Sequence, residues 1–356
     1  MLAAPILAAT GQGEQLAAGG RTHHLGIWAH AFGYFACYAP YTALTKAASE
    51  GTWPGLARPI DGFELLPVTT LASLVGMLVF LSVARWWRYA RTRSLFGRSV
   101  PSPGRWTLLS GLCTACIIGT TTLAYTFHGV SIVFMMLLMR GGLLVVAPIV
   151  DRVSGREVRW QSRVALLVSL GALAVATFDR ASYELTVLAL LDVVVYLAAY
   201  VVRLRFMSHL AKSNDRAVTL RYFVEEQMVA TPAIVLTLLL LAVIGRGDAM
   251  LAIRRGFVDG WALGPVVVGI IIGLLSQGTG IFGGLILLDA RENSFCVPVN
   301  RASSVLAGVL ASASLAAFLG GRAVPARETI GASLILAAVV VLALPTLAAG
   351  RRGPPP

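Results

Sequence analysis

Runs of about 20 apolar residues, broken by short polar segments, recur ten times along this chain. At ~1.5 Å per residue, a helix of that length crosses a hydrocarbon core roughly 30 Å thick. The pattern predicts helical spans over residues 25–48, 63–84, 106–127, 129–150, 161–178, 184–203, 221–245, 261–288, 293–319 and 328–348. Only "FHG" at 127–129 joins the third run to the fourth, which predicts a tight antiparallel pair. Residues 1–24 lack the basic start of a signal peptide and read as a flexible tail, with a second tail at 349–356.

Composition sharpens this picture. Of 356 residues, 57% are apolar and 13% charged, and the mean hydropathy is +0.77. Soluble domains carry about 25% charged residues, so the expected class is an all-α polytopic membrane protein with the lipid bilayer as its main partner. The net charge of +12 calls for no nucleic acid, because the basic residues sit in short loops where anchoring and topology account for them. With a cytoplasmic N-terminus, the inner loops and tails hold 19 Lys and Arg and the outer loops 8. That asymmetry places both termini in the cytoplasm. The excess of 27 Arg over 2 Lys hints at a GC-rich genome, hence a bacterial inner membrane. Cys37, Cys113, Cys116 and Cys296 all fall in apolar runs. The "CTAC" at 113–116 has no partner ligands nearby, so neither a metal nor another cofactor is expected.

The chain also matches itself. "YFACY" at 34–38 and "YLAAY" at 196–200 share a frame 162 positions apart, the offset that also relates Glu64 to Glu226. Arg140 and Arg301 lie 161 apart, and "GREV" at 155–158 matches "GRAV" at 321–324. Two copies of a five-span unit, 25–178 and 184–348, account for this common order. Because five is odd, the second copy enters the membrane inverted, as in secondary transporters whose substrate site lies near the midplane between the halves.

The segments that close each copy, "APIVDRVSGREVRWQSRVALLVSLGALAVATF" at 147–178 and "GRAVPARETIGASLILAAVVVLALP" at 321–345, resemble the EamA-type signature of the drug/metabolite transporter superfamily. There a small-residue-rich span runs through a Gly-Glu-like turn into a span with an early Gly. "LMRGGLLVV" at 138–146 is also similar to the nucleotide-sugar-transporter-like branch, whose fourth span can carry an Arg-Gly pair. The resemblance spans roughly residues 25–348 and implies a ten-span transporter fold. Two features depart from it: Ala323 stands where an acidic residue is usual, and paired membrane arginines are not general in EamA-type proteins.

Those arginines are the main chemical signal. A cation at the centre of a span costs roughly 2.5–3.5 kcal/mol on insertion scales, so something must offset Arg140 and Arg301. A guanidinium offers five donors and keeps its proton, which suits phosphate or carboxylate. One reading is that the two clamp an anionic substrate from opposite halves. The alternatives are neutralisation by Asp192, mid-way along span 6, and snorkelling of Arg301 to the interface. Asp192 is also a candidate proton-coupling carboxylate. Glu64 and Glu226 head spans 2 and 7, either favoured there by the macrodipole or acting as outer and inner gates. Arg221 precedes Glu225 by four residues, the spacing of a helix staple.

Tyr34, Tyr38, Tyr41, Tyr196 and Tyr200 either line a cavity or fill the core, and Gln277 joins them as a candidate substrate ligand. Gly280 and Gly284 in "SQGTGIFGG" have the spacing of close helix contact. Pro40, Pro148, Pro232 and Pro298 are candidate hinges, and Met135, Met136 and Met139 read as core filler.

These features favour a secondary transporter of a small anionic metabolite, phosphorylated or carboxylated and with or without a nucleotide, working by alternating access. The second reading, from the resemblance, is an EamA-type exporter of amino acids or other small amphipathic metabolites. An integral membrane enzyme would need clustered His, Asp or Glu at one interface, whereas His23 and His24 lie in the tail and His128 stands alone. A channel would need subunit symmetry or a polar pore, and the spans hold few polar residues. The sequence sets no oligomeric state.

Overall fold

A computed structural model describes residues 8–95, 98–127, 132–158, 160–177, 187–213 and 215–319, together with 326, 329–331, 333–334, 336–338 and 340–341. Most of the tenth expected span, the "GRAV" turn, His128 and both extreme termini lie outside the described residues. The described chain is a bundle of α-helices: α1 (Ala8–Glu50), α2 (Gly62–Val83), α3 (Arg105–Ala124), α4 (Ile132–Val153), α5 (Trp160–Thr177), α6 (Val187–Leu210), α7 (Arg216–Ile244), α8 (Gly247–Val258), α9 (Leu263–Leu287) and α10 (Asn293–Leu319). Six of them, α2, α3, α6, α7, α9 and α10, are long and apolar enough to cross a membrane. The protein is therefore an integral membrane protein of the all-α polytopic class.

Three features differ from the sequence pattern. The helix of the first span begins at Ala8, so residues 8–24, read as a flexible tail, continue it; Ala, Leu, Gln and Glu there are good helix formers. The loop after α2 holds an antiparallel hairpin, β1 (Thr92–Leu95) with β2 (Arg98–Pro101), in which Thr92 faces Pro101 and Leu95 faces Arg98. α8 is a short helix inserted between α7 and α9, with Gly247 (φ +74°) just inside its start.

Helix starts follow local chemistry. Asp61 and Asp215 cap α2 and α7, their carboxylates accepting from Phe63 N and Ala217 N, each at 2.8 Å. Gly245, at φ +58°, ends α7 in the left-handed conformation that glycine adopts without strain.

α1 packs on α9 and α10, and α6 on α3 and α4. α2 packs on α9, α7 on α3, and α4 against α10. The outside of the bundle is apolar: Phe318, Val243 and Leu167 are 84%, 75% and 67% exposed, side chains suited to lipid rather than water. The inside is unusually polar, with Arg301, Tyr38, Tyr41, Tyr125 and Tyr196 among its largest fully buried side chains.

Glycines permit the closest helix approaches, though not where the sequence spacing placed them. A Cβ on Gly273 would lie 2.3 Å from the Thr69 carbonyl oxygen of α2, whereas one on Gly280 meets nothing within 4 Å. Gly280 borders a cavity instead, and a Cβ on Gly284 would face the Phe223 ring at 3.1 Å and Arg203 Nη2 at 3.9 Å. Gly273→Ala should therefore lower stability by roughly 1–3 kcal/mol through overpacking. Gly280→Ala should be neutral or slightly stabilising, as for glycine replacement in a helix. Thermal melting of the two variants in detergent checks this; equal losses would remove the assignment of Gly273 as the contact point.

Candidate functional site

The site is centred on α4 and α10. Arg140 and Arg301 lie part-way along α4 and α10, which pack against each other with the end of α4 bonded to the start of α10, and both reach Tyr196. They are 2% and 1% exposed, which rules out snorkelling of Arg301. Both donate to the same hydroxyl: Arg140 Nη1 to Tyr196 Oη, and Arg301 Nη1 to that oxygen at 2.9 Å. Arg140 Nη2 also donates to Tyr38 Oη, and to Tyr125 Oη at 3.1 Å. The arginines lie over aromatic faces, Arg140 at 5.2 Å from the Tyr196 ring centre and Arg301 at 4.8 Å from that of Tyr200.

Neutral hydroxyls and ring faces do not cancel two charges. Among the described residues, no carboxylate lies within ion-pair distance of Arg140 or Arg301. Asp192, the expected neutraliser, is buried on α6 and pairs with neither, and its Oδ2 has no hydrogen-bond partner. Arg140 Nε and Arg301 Nε and Nη2 are likewise buried without a partner. Three guanidinium donors are thus left without an acceptor among the described residues, in a place where each unsatisfied polar group costs about 1–3 kcal/mol.

Beside this pair lies a cavity of about 70 Å³. Arg140 lines it, with Tyr34, Tyr38, Tyr41, Tyr200, Gln277 and Asn300. Arg301 and Tyr196 are not in its wall; they stand one layer behind, joined to it by the shared Tyr196 hydroxyl. Gln277 reaches across to Gln227, Nε2 to Oε1 at 3.5 Å. Pairs of lining residues repeat at the offset already seen in the sequence. Tyr38 and Tyr200, Tyr41 and Arg203, Thr114 and Ser276, and Thr121 and Gly283 are each 162 positions apart.

Arg203 is a functional candidate that sequence reasoning missed, because the apolar run ended there and it counted as a loop residue. α6 continues to Leu210, and Arg203 faces the cavity. Its spacing after Tyr196 and Tyr200 put all three on one helical face, a signal present in the sequence. Glu226 neutralises it through two bonds, Nε to Oε1 at 2.9 Å and Nη2 to Oε2 at 2.8 Å. Tyr125 was also missed; it lies just past the end of α3, and no local pattern marks it.

The other carboxylates are held away from the cavity. Glu64 forms two bonds with Arg58, at 2.6 and 3.0 Å, and a side chain as exposed as Arg58, at 56%, makes that pair worth less than about 1 kcal/mol. Glu225 pairs with Arg91 at 3.4 Å and accepts from Thr107 and Gly104 N. The expected Arg221–Glu225 staple does not form, because Glu225 turns inward while Arg221 stays exposed. Met135 and Met139 are fully buried in the core, and the four cysteines are free thiols.

No protein-family model matches this chain, and no curated protein matches it. A solved structure described only as "Crystal structure of protein" aligns over 89% of this chain and 98% of its own, at 16% identity and a TM-score of 0.49. A likeness of that degree says nothing about substrate or mechanism.

Proposed function

We propose that this protein is a secondary transporter of a small anionic metabolite, phosphorylated or carboxylated, working by alternating access. The observation that carries the proposal is the buried pair Arg140 and Arg301, joined at one tyrosine hydroxyl, with three donors lacking acceptors and no carboxylate in reach among the described residues. Two guanidiniums that share one hydroxyl repel each other, by roughly 2–4 kcal/mol for unit charges several ångströms apart at an effective dielectric near 20. An anion between or beside them removes that repulsion and completes their hydrogen bonds. A cavity of about 70 Å³, at ~10–15 Å³ per water, suits an ion of a few heavy atoms; a nucleotide would require the halves to move apart.

The architecture we infer is ten spans in two inverted five-helix halves, belonging to the drug/metabolite transporter superfamily, in a bacterial inner membrane with cytoplasmic termini. Several observations support it. The helix contacts are reciprocal: if α1 corresponds to α6, α2 to α7, α3 to α9 and α4 to α10, then α1 on α9 answers to α6 on α3, and α2 on α9 to α7 on α3. Gly111 and Gly273, 162 positions apart, are both close-approach glycines, against α7 and α2 respectively. The paired cavity residues are consistent with an axis through the cavity, which is where alternating access needs a site.

An amino-acid exporter, the second reading, would need a carboxylate to receive the ammonium. The cavity wall holds none among the described residues, which favours a plain anion. A thermal-shift screen of detergent-purified protein against phosphate, sulfate, short carboxylates, zwitterions and organic cations tests the proposal. Anions should raise the melting temperature by mass action on the folded state. Stabilisation by cations alone would overturn the substrate class.

A further inference from the structure

Glu226 and Arg203 form the one full acid–base pair that reaches the central cavity among the described residues. We propose that Glu226 takes up a proton when the anion binds, freeing Arg203 as a third ligand, so that anion and proton move together. This rests on the anion-transporter reading above and adds its coupling ion.

The geometry supplies both ends of the exchange. On the cavity side, Arg203 lines the wall, and its guanidinium lies 5.8 Å from the centre of the Tyr200 ring, which also lies 4.8 Å from the Arg301 guanidinium. An anion entering the cavity therefore meets Arg203 as well as Arg140 and competes with Glu226 for it. On the far side, Glu226 Oε1 accepts from Ser110 Oγ at 2.6 Å, and Ser110 Oγ is 2.6 Å from Tyr222 Oη. Ser110 has one proton and gives it to Glu226, so Tyr222 donates to Ser110. Tyr222 in turn lines a second cavity, of about 300 Å³, at the ends of α3, α6 and α7. Tyr222, Ser110 and Glu226 thus form an unbroken relay from that second cavity towards the central one. A proton entering at the Tyr222 oxygen displaces the tyrosine proton to Ser110, and the serine proton passes to Glu226. Nothing is consumed and no bond other than O–H is changed.

The groups facing Glu226 are Arg203 from α6, Ser110 and Cys113 from α3, and Tyr222 from its own helix. The second cavity is lined by Arg91, Arg105, Arg221 and Glu225 as well. The other half of the molecule lacks the device. Tyr41 occupies the position 162 before Arg203, and Glu64, the counterpart of Glu226, is tied to Arg58 outside the cavity.

The test uses the full-length protein in detergent and sulfate as the probe, because sulfate does not titrate near neutral pH and any proton taken up belongs to the protein. Calorimetry in two buffers of different ionisation enthalpy counts protons per sulfate bound. The wild type should take up about one, and its affinity should fall as the pH is raised. Glu226→Gln should bind sulfate with no proton uptake and with an affinity that no longer varies with pH. Ser110→Ala, which keeps the ion pair, should leave the proton count at about one but slow uptake in a stopped-flow indicator assay. Sulfate binding by the wild type without proton uptake, or an unchanged count in Glu226→Gln, overturns the coupling while the anion site stands. No binding of sulfate by the wild type overturns this proposal together with the reading beneath it. Should Glu226→Gln fail to fold, the wild-type count and the Ser110→Ala rate still decide.

Discussion

Arg140→Gln is expected to abolish the stabilisation by anions while changing the stability of the unliganded protein little. The variant loses hydrogen bonds to Tyr38, Tyr125 and Tyr196, each worth about 1 kcal/mol net. It also loses the repulsion from Arg301, roughly 2–4 kcal/mol for unit charges several ångströms apart at an effective dielectric near 20. These changes offset each other. The anion effect has nothing to offset it: a ligand at a hundredfold excess over its Kd stabilises by about 2.7 kcal/mol, and removing the clamp removes this entirely. A merely structural arginine predicts the reverse, a large loss without ligand and an intact response to it. Arg140→Lys separates charge from geometry. It keeps the cation but not the planar fork, so it should retain part of the anion response. Melting curves of the three proteins with and without sulfate give the answer, and an anion response in Arg140→Gln equal to the wild type's would sink the clamp.

Asp151→Ala should destabilise the fold more than Gly273→Ala or Arg140→Gln. Asp151 is fully buried near the end of α4 and accepts four hydrogen bonds at the start of α10. Its Oδ1 takes Asn293 N and Nδ2 at 3.0 and 2.8 Å, and its Oδ2 takes Ser294 N and Oγ at 2.7 and 2.6 Å. It therefore caps a helix that is not its own, and its negative charge sits at that helix's positive end. The surrounding seal includes Arg156, bonded to the Ala290 and Ser208 carbonyls, and Lys212, bonded to those of Asp289 and Arg291. Burial would raise the Asp289 carboxyl, yet the hydrogen-bonded Arg291 beside it holds it below the usual range. Removing the Asp151 carboxylate leaves buried donors unpaired, at a cost of about 3–5 kcal/mol. Cys296 is fully buried two residues beyond Ser294, so its alkylation reports opening of this face once the other three cysteines are replaced. A local loss of about 3 kcal/mol raises the open population more than a hundredfold, and labelling should accelerate accordingly. Labelling at the wild-type rate would show that the carboxylate does not hold α4 to α10.

Much of this was legible in one dimension, for definite reasons. A bilayer demands long apolar helices with internally paired backbones, so nine of the expected runs reappear as the helices α1–α7, α9 and α10 with ends displaced by a few residues, apart from the N-terminal extension of α1. Tyr34 and Tyr38 shared a frame with Tyr196 and Tyr200. Of the five tyrosines on those two spans, four line the cavity, and Tyr196 stands just behind them. Arg140 and Arg301 stood out because a permanent charge in an apolar run has no bland explanation.

What failed was the assignment of partners. Asp192 was the only carboxylate deep in an apolar run, yet it touches neither arginine. Arg203 passed for a loop residue because hydropathy counts its charge and cannot see Glu226, which comes from another helix 23 positions later. Glu225 chose Arg91, 134 positions away in sequence, over Arg221 one turn before it. Periodicity and composition are local, and they determined that this chain is an α-helical membrane protein with two charges it must account for. Which donors meet which acceptors depends on how helices distant in sequence are brought side by side. Only the tertiary structure decided that two cations converge on one hydroxyl and that a third is held by a buried acid.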